Sequence, residues 1–123
     1  MRIPNFAILT LCGVSIVASS TILTLPSAMA DEASVIKEGK ALAFNRKKGN
    51  CLACHAIAGG QLPGNIGPAL KDIKQAYPNK ADLRKQIFDP TVRNPNTIMP
   101  PFGKFQILTS SELDKVVEFI YSL

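Results

Sequence analysis

The clearest hydrophobic pattern lies at the C-terminal end, where Leu113, Val116, Val117, Ile120 and Tyr121 recur at helical spacing as one apolar stripe. Thr109 and Glu112 stand three residues apart just ahead of it, the arrangement of a capping box. Leu108 and Leu113 are placed to staple the chain's entry into this helix. A less even face, built from Val35, Ile36, Ala41, Leu42 and Ala43 with Ser34 as N-cap, predicts a helix from Ser34 to about Arg46 that stops near Lys48-Gly49. Gly39 lies inside it and costs up to about 1 kcal/mol relative to alanine. Either another helix comes close over Gly39 and Ala43, one turn apart, or the glycine is simply tolerated.

Between these two helices the signals are shorter. Residues 56–67, with four glycines and a proline, predict a loop. Asp72 to Tyr77 predicts a short helical turn. Asp82 to Phe88 predicts a helix with Leu83, Ile87 and Phe88 on one side and Arg84 and Lys85 on the other. Asp89-Pro90 ends it, because a residue before proline is pushed out of helical geometry. Arg93 to Pro101 is a proline-broken loop. With no strand pattern, repeat or low-complexity segment, the chain reads as all-α, its C-terminal stripe packed across the Gly39 and Ala43 face of the first helix.

The first thirty residues stand apart from this pattern. Arg2 precedes an apolar run from Phe6 to Leu25, and Pro26-Ser27 leads into Ala28-Met29-Ala30, an A-x-A site that predicts cleavage before Asp31. An uncleaved membrane anchor is the competing reading, since the run approaches spanning length. Leu11 before Cys12 argues against a lipoprotein anchor, so Cys12 leaves with the signal peptide and no stable membrane anchor stays behind. The expected organisation is a signal peptide over 1–30 and one domain over 31–123. Residues 31–123 retain all of the chain's basic residues except Arg2 and all 9 acidic ones, a net +4. That balance suits an acidic protein face, although scattered lysines also serve solubility. No basic run interleaved with aromatics points to nucleic acid. A domain of this size has a marginal core.

The chemistry is concentrated in Cys51-Leu52-Ala53-Cys54-His55, a C-x-x-C-H run that reads as an attachment site for c-type haem. Cys51 and Cys54 would add to the two vinyl groups, and His55 would lie under the iron as proximal ligand. A zinc site would need a second Cys or His pair, and none exists. A thioredoxin-like pair would need a βαβ context. A disulfide across two residues closes too short a loop to be an effective staple. An enclosed haem would also supply the missing apolar interior. After signal removal His55 is the only histidine and Met99 the only methionine. Met99, followed directly by Pro100 and Pro101, is therefore the candidate second axial ligand, which would raise the reduction potential. Lysine ligation, an open sixth position and a simple packing role for Met99 are the alternatives.

These motifs resemble class I cytochromes c, which implies a small all-α fold with N- and C-terminal helices packed over a covalently bound haem. In that family Gly67-Pro68-Ala69-Leu70 resembles the turn whose proline carbonyl accepts a hydrogen bond from the proximal histidine, a role that falls here to Pro68. More specifically, Lys48 to His55, Leu62 to Pro68, and Met99 to Lys104 with Ile107-Leu108-Thr109 resemble the SoxX family. These are the small monohaem subunits of SoxAX thiosulfate-oxidising complexes. The resemblance implies a periplasmic electron-transfer subunit, paired as a heterodimer with a SoxA-like cytochrome and passing electrons to a downstream c-type cytochrome or other acceptor. In that family SoxA carries the catalytic haem and cysteine that join thiosulfate to a carrier-protein cysteine. This chain, with Cys51, Cys54 and His55 all committed to haem, has no nucleophile or base left for the reaction and is not an enzyme on its own. A free mobile cytochrome c is the rival reading, and a haem sensor or peroxidase a third. A dedicated subunit should show an apolar docking patch, and a shuttle a ring of lysines. Phe102, Phe105 and Ile107 serve either such a patch or the haem pocket.

Overall fold

A computed structural model describes residues 27–123. The expected leader lies outside them, except for residues 27–30. Four helices follow one another: α1 (Ser27–Phe44), α2 (Ile73–Ala76), α3 (Lys80–Phe88) and α4 (Ser110–Tyr121), with 3-10 turns at Cys51–Ala53 and Pro90–Val92. Among the described residues the sole extended pairing is a single parallel bridge between Ile57 and Leu70. No described helix is long and apolar enough to cross a membrane.

The first and last described helices meet in the core, where α1 packs on α4 and α3 packs on the same helix from another side. A Cβ built on Gly39 would collide with the Lys115 carbonyl and lie 2.9 Å from Phe119 Cβ. The glycine is therefore required by the crossing and is more than tolerated. Ala43, fully buried, continues the contact one turn on. Phe119, which the sequence stripe omits, is buried here and meets Phe44 edge to face, with ring centroids 5.9 Å apart. Lys115 pairs with Glu38 across the crossing at 2.6 Å, and Lys80 and Arg84 of α3 pair with Glu118 and Asp114 of α4. Such exposed pairs contribute little each and mainly set the register.

The element boundaries differ from expectation where local signals misled. α1 begins at Ser27, so Ser34 is helix interior and not a cap, and Ala41 faces solvent. α3 begins at Lys80, two residues before Asp82, because the Asn79 side chain accepts the Ala81 N–H at 2.9 Å and caps it there. Phe88 is 42% exposed, unlike Leu83 and Ile87. The capping box of α4 forms as expected, with Thr109 and Glu112 each accepting the other's backbone N–H.

Gly39→Ala separates two effects of opposite sign. Helix propensity alone would stabilise α1 by about 1 kcal/mol. The collision with backbone instead predicts a net loss of about 1–3 kcal/mol, as for overpacked cores. In a domain of this length that lowers the melting temperature by roughly 5–20 °C. A rise in melting temperature would mean that α1 and α4 do not cross at this point.

Candidate functional site

α1 stops at Phe44 because the chain folds back on its last turn. Gly49 N–H donates to the Leu42 carbonyl at 3.1 Å and Asn50 N–H to the Asn45 carbonyl at 3.0 Å, with Asn50 in the left-handed region at φ 47°. This turn delivers residues 51–55 as one tight unit, with His55 N–H bonded to the Cys51 carbonyl at 2.9 Å. Lys48, just ahead of the unit, reaches Glu112 at 2.9 Å. Glu112 also caps α4, so the approach to Cys51 is tied to the start of the last helix. Lys48, followed by the Thr109 N–H, holds the Glu112 carboxyl below the usual glutamate range.

Cys51, Cys54, His55, Pro68 and Met99 all line one cleft of about 680 Å³, within the about 300–1,000 Å³ range of cofactor pockets. Its floor is apolar, with Leu83 and Ile87 from α3, Val116 and Ile120 from α4, and Phe102. The two thiols are not joined to each other. Burial, with a smaller contribution from neighbouring Cys54, pushes the Cys51 thiol up to about 11, so it stays protonated at neutral pH and is no poised thiolate nucleophile.

His55 Nδ1 lies 2.7 Å from the Pro68 carbonyl oxygen. Since the carbonyl can only accept, Nδ1 carries the proton and Nε2 keeps the lone pair available to a metal. Gly67 makes room for this ring, because a Cβ there would lie within contact of His55 Nδ1 and Nε2. Met99 is half-buried on the loop after α3, its N–H bonded to Thr97 Oγ1 at 3.2 Å. Phe102 and Ile107 line the cleft, whereas Phe105 is 66% exposed and does not. Two of the three residues with an open reading are therefore pocket residues.

Sequence reasoning missed several parts of the site. Gln86 lines the cleft, and its Oε1 is buried without a hydrogen-bond partner. A polar residue three positions after Leu83 and one before Ile87, on the face that α3 turns inward, was the available signal. An unpaired buried amide in an apolar cleft is costly on its own and suits a pocket whose occupant carries polar groups at its edge. A planar, largely apolar macrocycle with carboxylates at its rim fits this lining, and two thiols with an imidazole lone pair fit its attachment. At the mouth, Ile66 and Ile98 are exposed, and Arg46, Lys47, Lys48 and Lys71 line the cleft with no carboxylate among the described lining residues.

The family model described as Cytochrome c matches residues 36–123. An "Uncharacterized lipoprotein" of Aquifex aeolicus (strain VF5) is 33% identical over 89 residues, which cover 69% of this chain. The match covers 43% of that relative, so the chain spans about two fifths of its length. The crystal structure of SoxXA from P. pantotrophus is similar with a TM-score of 0.63 and 25% identity, over 68% of this chain and 77% of the compared chain.

Proposed function

Because the chain belongs to the cytochrome c family and carries that family's covalently attached haem c, we propose that this electron-transfer cytochrome is the SoxX-like subunit of an extracytoplasmic SoxAX-type complex. Cys51 and Cys54 hold the haem by thioether bonds, His55 Nε2 is the proximal ligand oriented by Pro68, and Met99 is the sixth ligand. The haem supplies a one-electron ferric–ferrous couple. The chain's own residues would line it with apolar side chains, and the Pro68 carbonyl fixes the imidazole tautomer, while Ile66 and Ile98 line the cleft and are exposed.

The observation that carries this reading is that every thiol and imidazole of residues 31–123 lies in one cleft. None is left over for substrate, so thiosulfate must be handled by another subunit. Similarity to SoxXA supports a SoxA-like partner, and the exposed isoleucines at the mouth favour a lasting apolar contact. The cations beside them would also suit brief encounters, which keeps the mobile carrier as the second reading. The family and the lipoprotein relative support a place outside the cytoplasm; the removal of residues 1–30 before Asp31 rests on the sequence alone.

Reconstitution tests this. Intact mass should correspond to Asp31–Leu123 plus one haem. Mixed with a SoxA-like cytochrome and a carrier protein, the chain should form a stoichiometric complex at micromolar concentration and become reduced when thiosulfate is added. Alone it should be reduced far more slowly. Equal rates with and without the partner, or no complex on gel filtration, would replace the dedicated subunit with the mobile carrier.

A further inference from the structure

The loop that carries Met99 has an unusual attachment. It leaves α3 at Phe88 and returns to the same place: the Phe88 carbonyl accepts N–H groups from both Gly103 (3.1 Å) and Lys104 (3.2 Å). Asp89 completes the junction. Its Oδ1 accepts the Thr91 N–H at 3.1 Å and the Thr91 hydroxyl, and its Oδ2 accepts Lys104 Nζ at 2.7 Å. The Asp89 side chain is only 11% exposed, unusually low for a carboxylate in a loop. Between these ends, the backbone N–H bonds described for residues 91–100 all stay within the loop: Val92 to Asp89, Arg93 and Asn94 to Pro90, Thr97 to Asn94, Asn96 to the Asn94 side chain, and Met99 to Thr97. The loop is a closed ring hinged at its base.

We propose that the Asp89–Lys104 pair, seated on the Phe88 carbonyl, is a clasp that keeps the Met99 loop shut over the cleft, and that Asp89 is a positioning residue for the sixth ligand. This rests on the reading of Met99 as that ligand. Releasing the clasp frees the returning strand of the loop at Lys104, five residues from Met99, while leaving the thiols, His55 and Pro68 untouched. Asp89 is well suited to stay charged, since Lys104 and then Thr91 hold its carboxyl below the usual aspartate range. A half-buried ion pair fixed at one end by a turn also loses less side-chain entropy than a free surface pair.

The test uses haem-loaded protein and imidazole, a small ligand that enters only when Met99 has moved away. Its apparent affinity tracks the fraction of molecules with the loop open, so Asp89→Asn and Lys104→Gln should each tighten imidazole binding by about tenfold. The double variant should gain little beyond either single one, because both remove the same contact. Lys104→Gln keeps the bonds from Asp89 to Thr91 and serves if Asp89→Asn folds poorly. Glu38→Gln, which breaks the Lys115 pair on the far face, should bind imidazole as wild type does. Without imidazole, both clasp variants should keep the weak far-red absorption of ferric methionine-ligated haem. Wild-type affinity in both clasp variants, or an equal gain in Glu38→Gln, would overturn the clasp while leaving Met99 as ligand. Wild type binding imidazole as tightly as Met99→Ala would instead overturn the Met99 reading, and the clasp with it.

Discussion

Cys51→Ala/Cys54→Ala, prepared without haem, will not hold the native fold. The cleft of about 680 Å³ is the centre against which α3, α4 and the Met99 loop pack. Without an occupant, Leu83, Ile87, Phe102, Val116 and Ile120 face an open cleft instead of a packing partner, and each loses the burial that stabilises a large apolar side chain. Small domains have only about 5–15 kcal/mol of stability in total, so the loss of several such contacts removes much of it. Circular dichroism should show residual helix, but heating should give no cooperative transition. Added haem should restore part of the transition by binding through the axial ligands alone. A sharp transition at the wild-type temperature in the haem-free variant would show that the cleft is not a core completed by its occupant.

Met99→Ala should have the largest effect on the redox behaviour of the loaded protein. A thioether favours the ferrous state, and axial-ligand changes move haem potentials over about 0.8 V across proteins. Loss of the thioether should therefore lower the potential by on the order of a few tenths of a volt and remove the far-red band. The fold should survive, because Met99 is half-buried and its backbone bond to Thr97 remains. If wild type lacks the band and the substitution leaves the potential unchanged, Met99 fills space only. A lysine would then be sought as sixth ligand, beginning with Lys71, which lines the cleft and is exposed.

Features decided by neighbours in sequence were legible without coordinates. The capping box of α4 needs only Thr109 and Glu112, three residues apart, and the end of α3 needs only Asp89-Pro90. The all-α class followed from the same local periodicities. Features decided by distant partners were not legible. Gly39 read equally well as tolerated or required, since the Lys115 carbonyl that excludes a side chain there lies 76 residues away. Phe119 sits off the main stripe of α4 and is buried because α4 has α1 on one side and α3 on another. Asp89 looked like a helix stop, and its tie to Lys104 appears only when the loop closes. Gln86 was hidden for the same reason, because its environment is the cleft itself.

The meeting of α1 and α4 has a temporal side. The contact joins Gly39 to Lys115 and Phe119, residues far apart in the sequence, and pairings of that kind are the slowest to form. The turn that carries Cys51, Cys54 and His55 is held by bonds that span only a few residues, such as His55 N–H to the Cys51 carbonyl. The two thiols can therefore be presented together while α1 and α4 are still apart, and the fold leaves them an interval of access before the crossing closes.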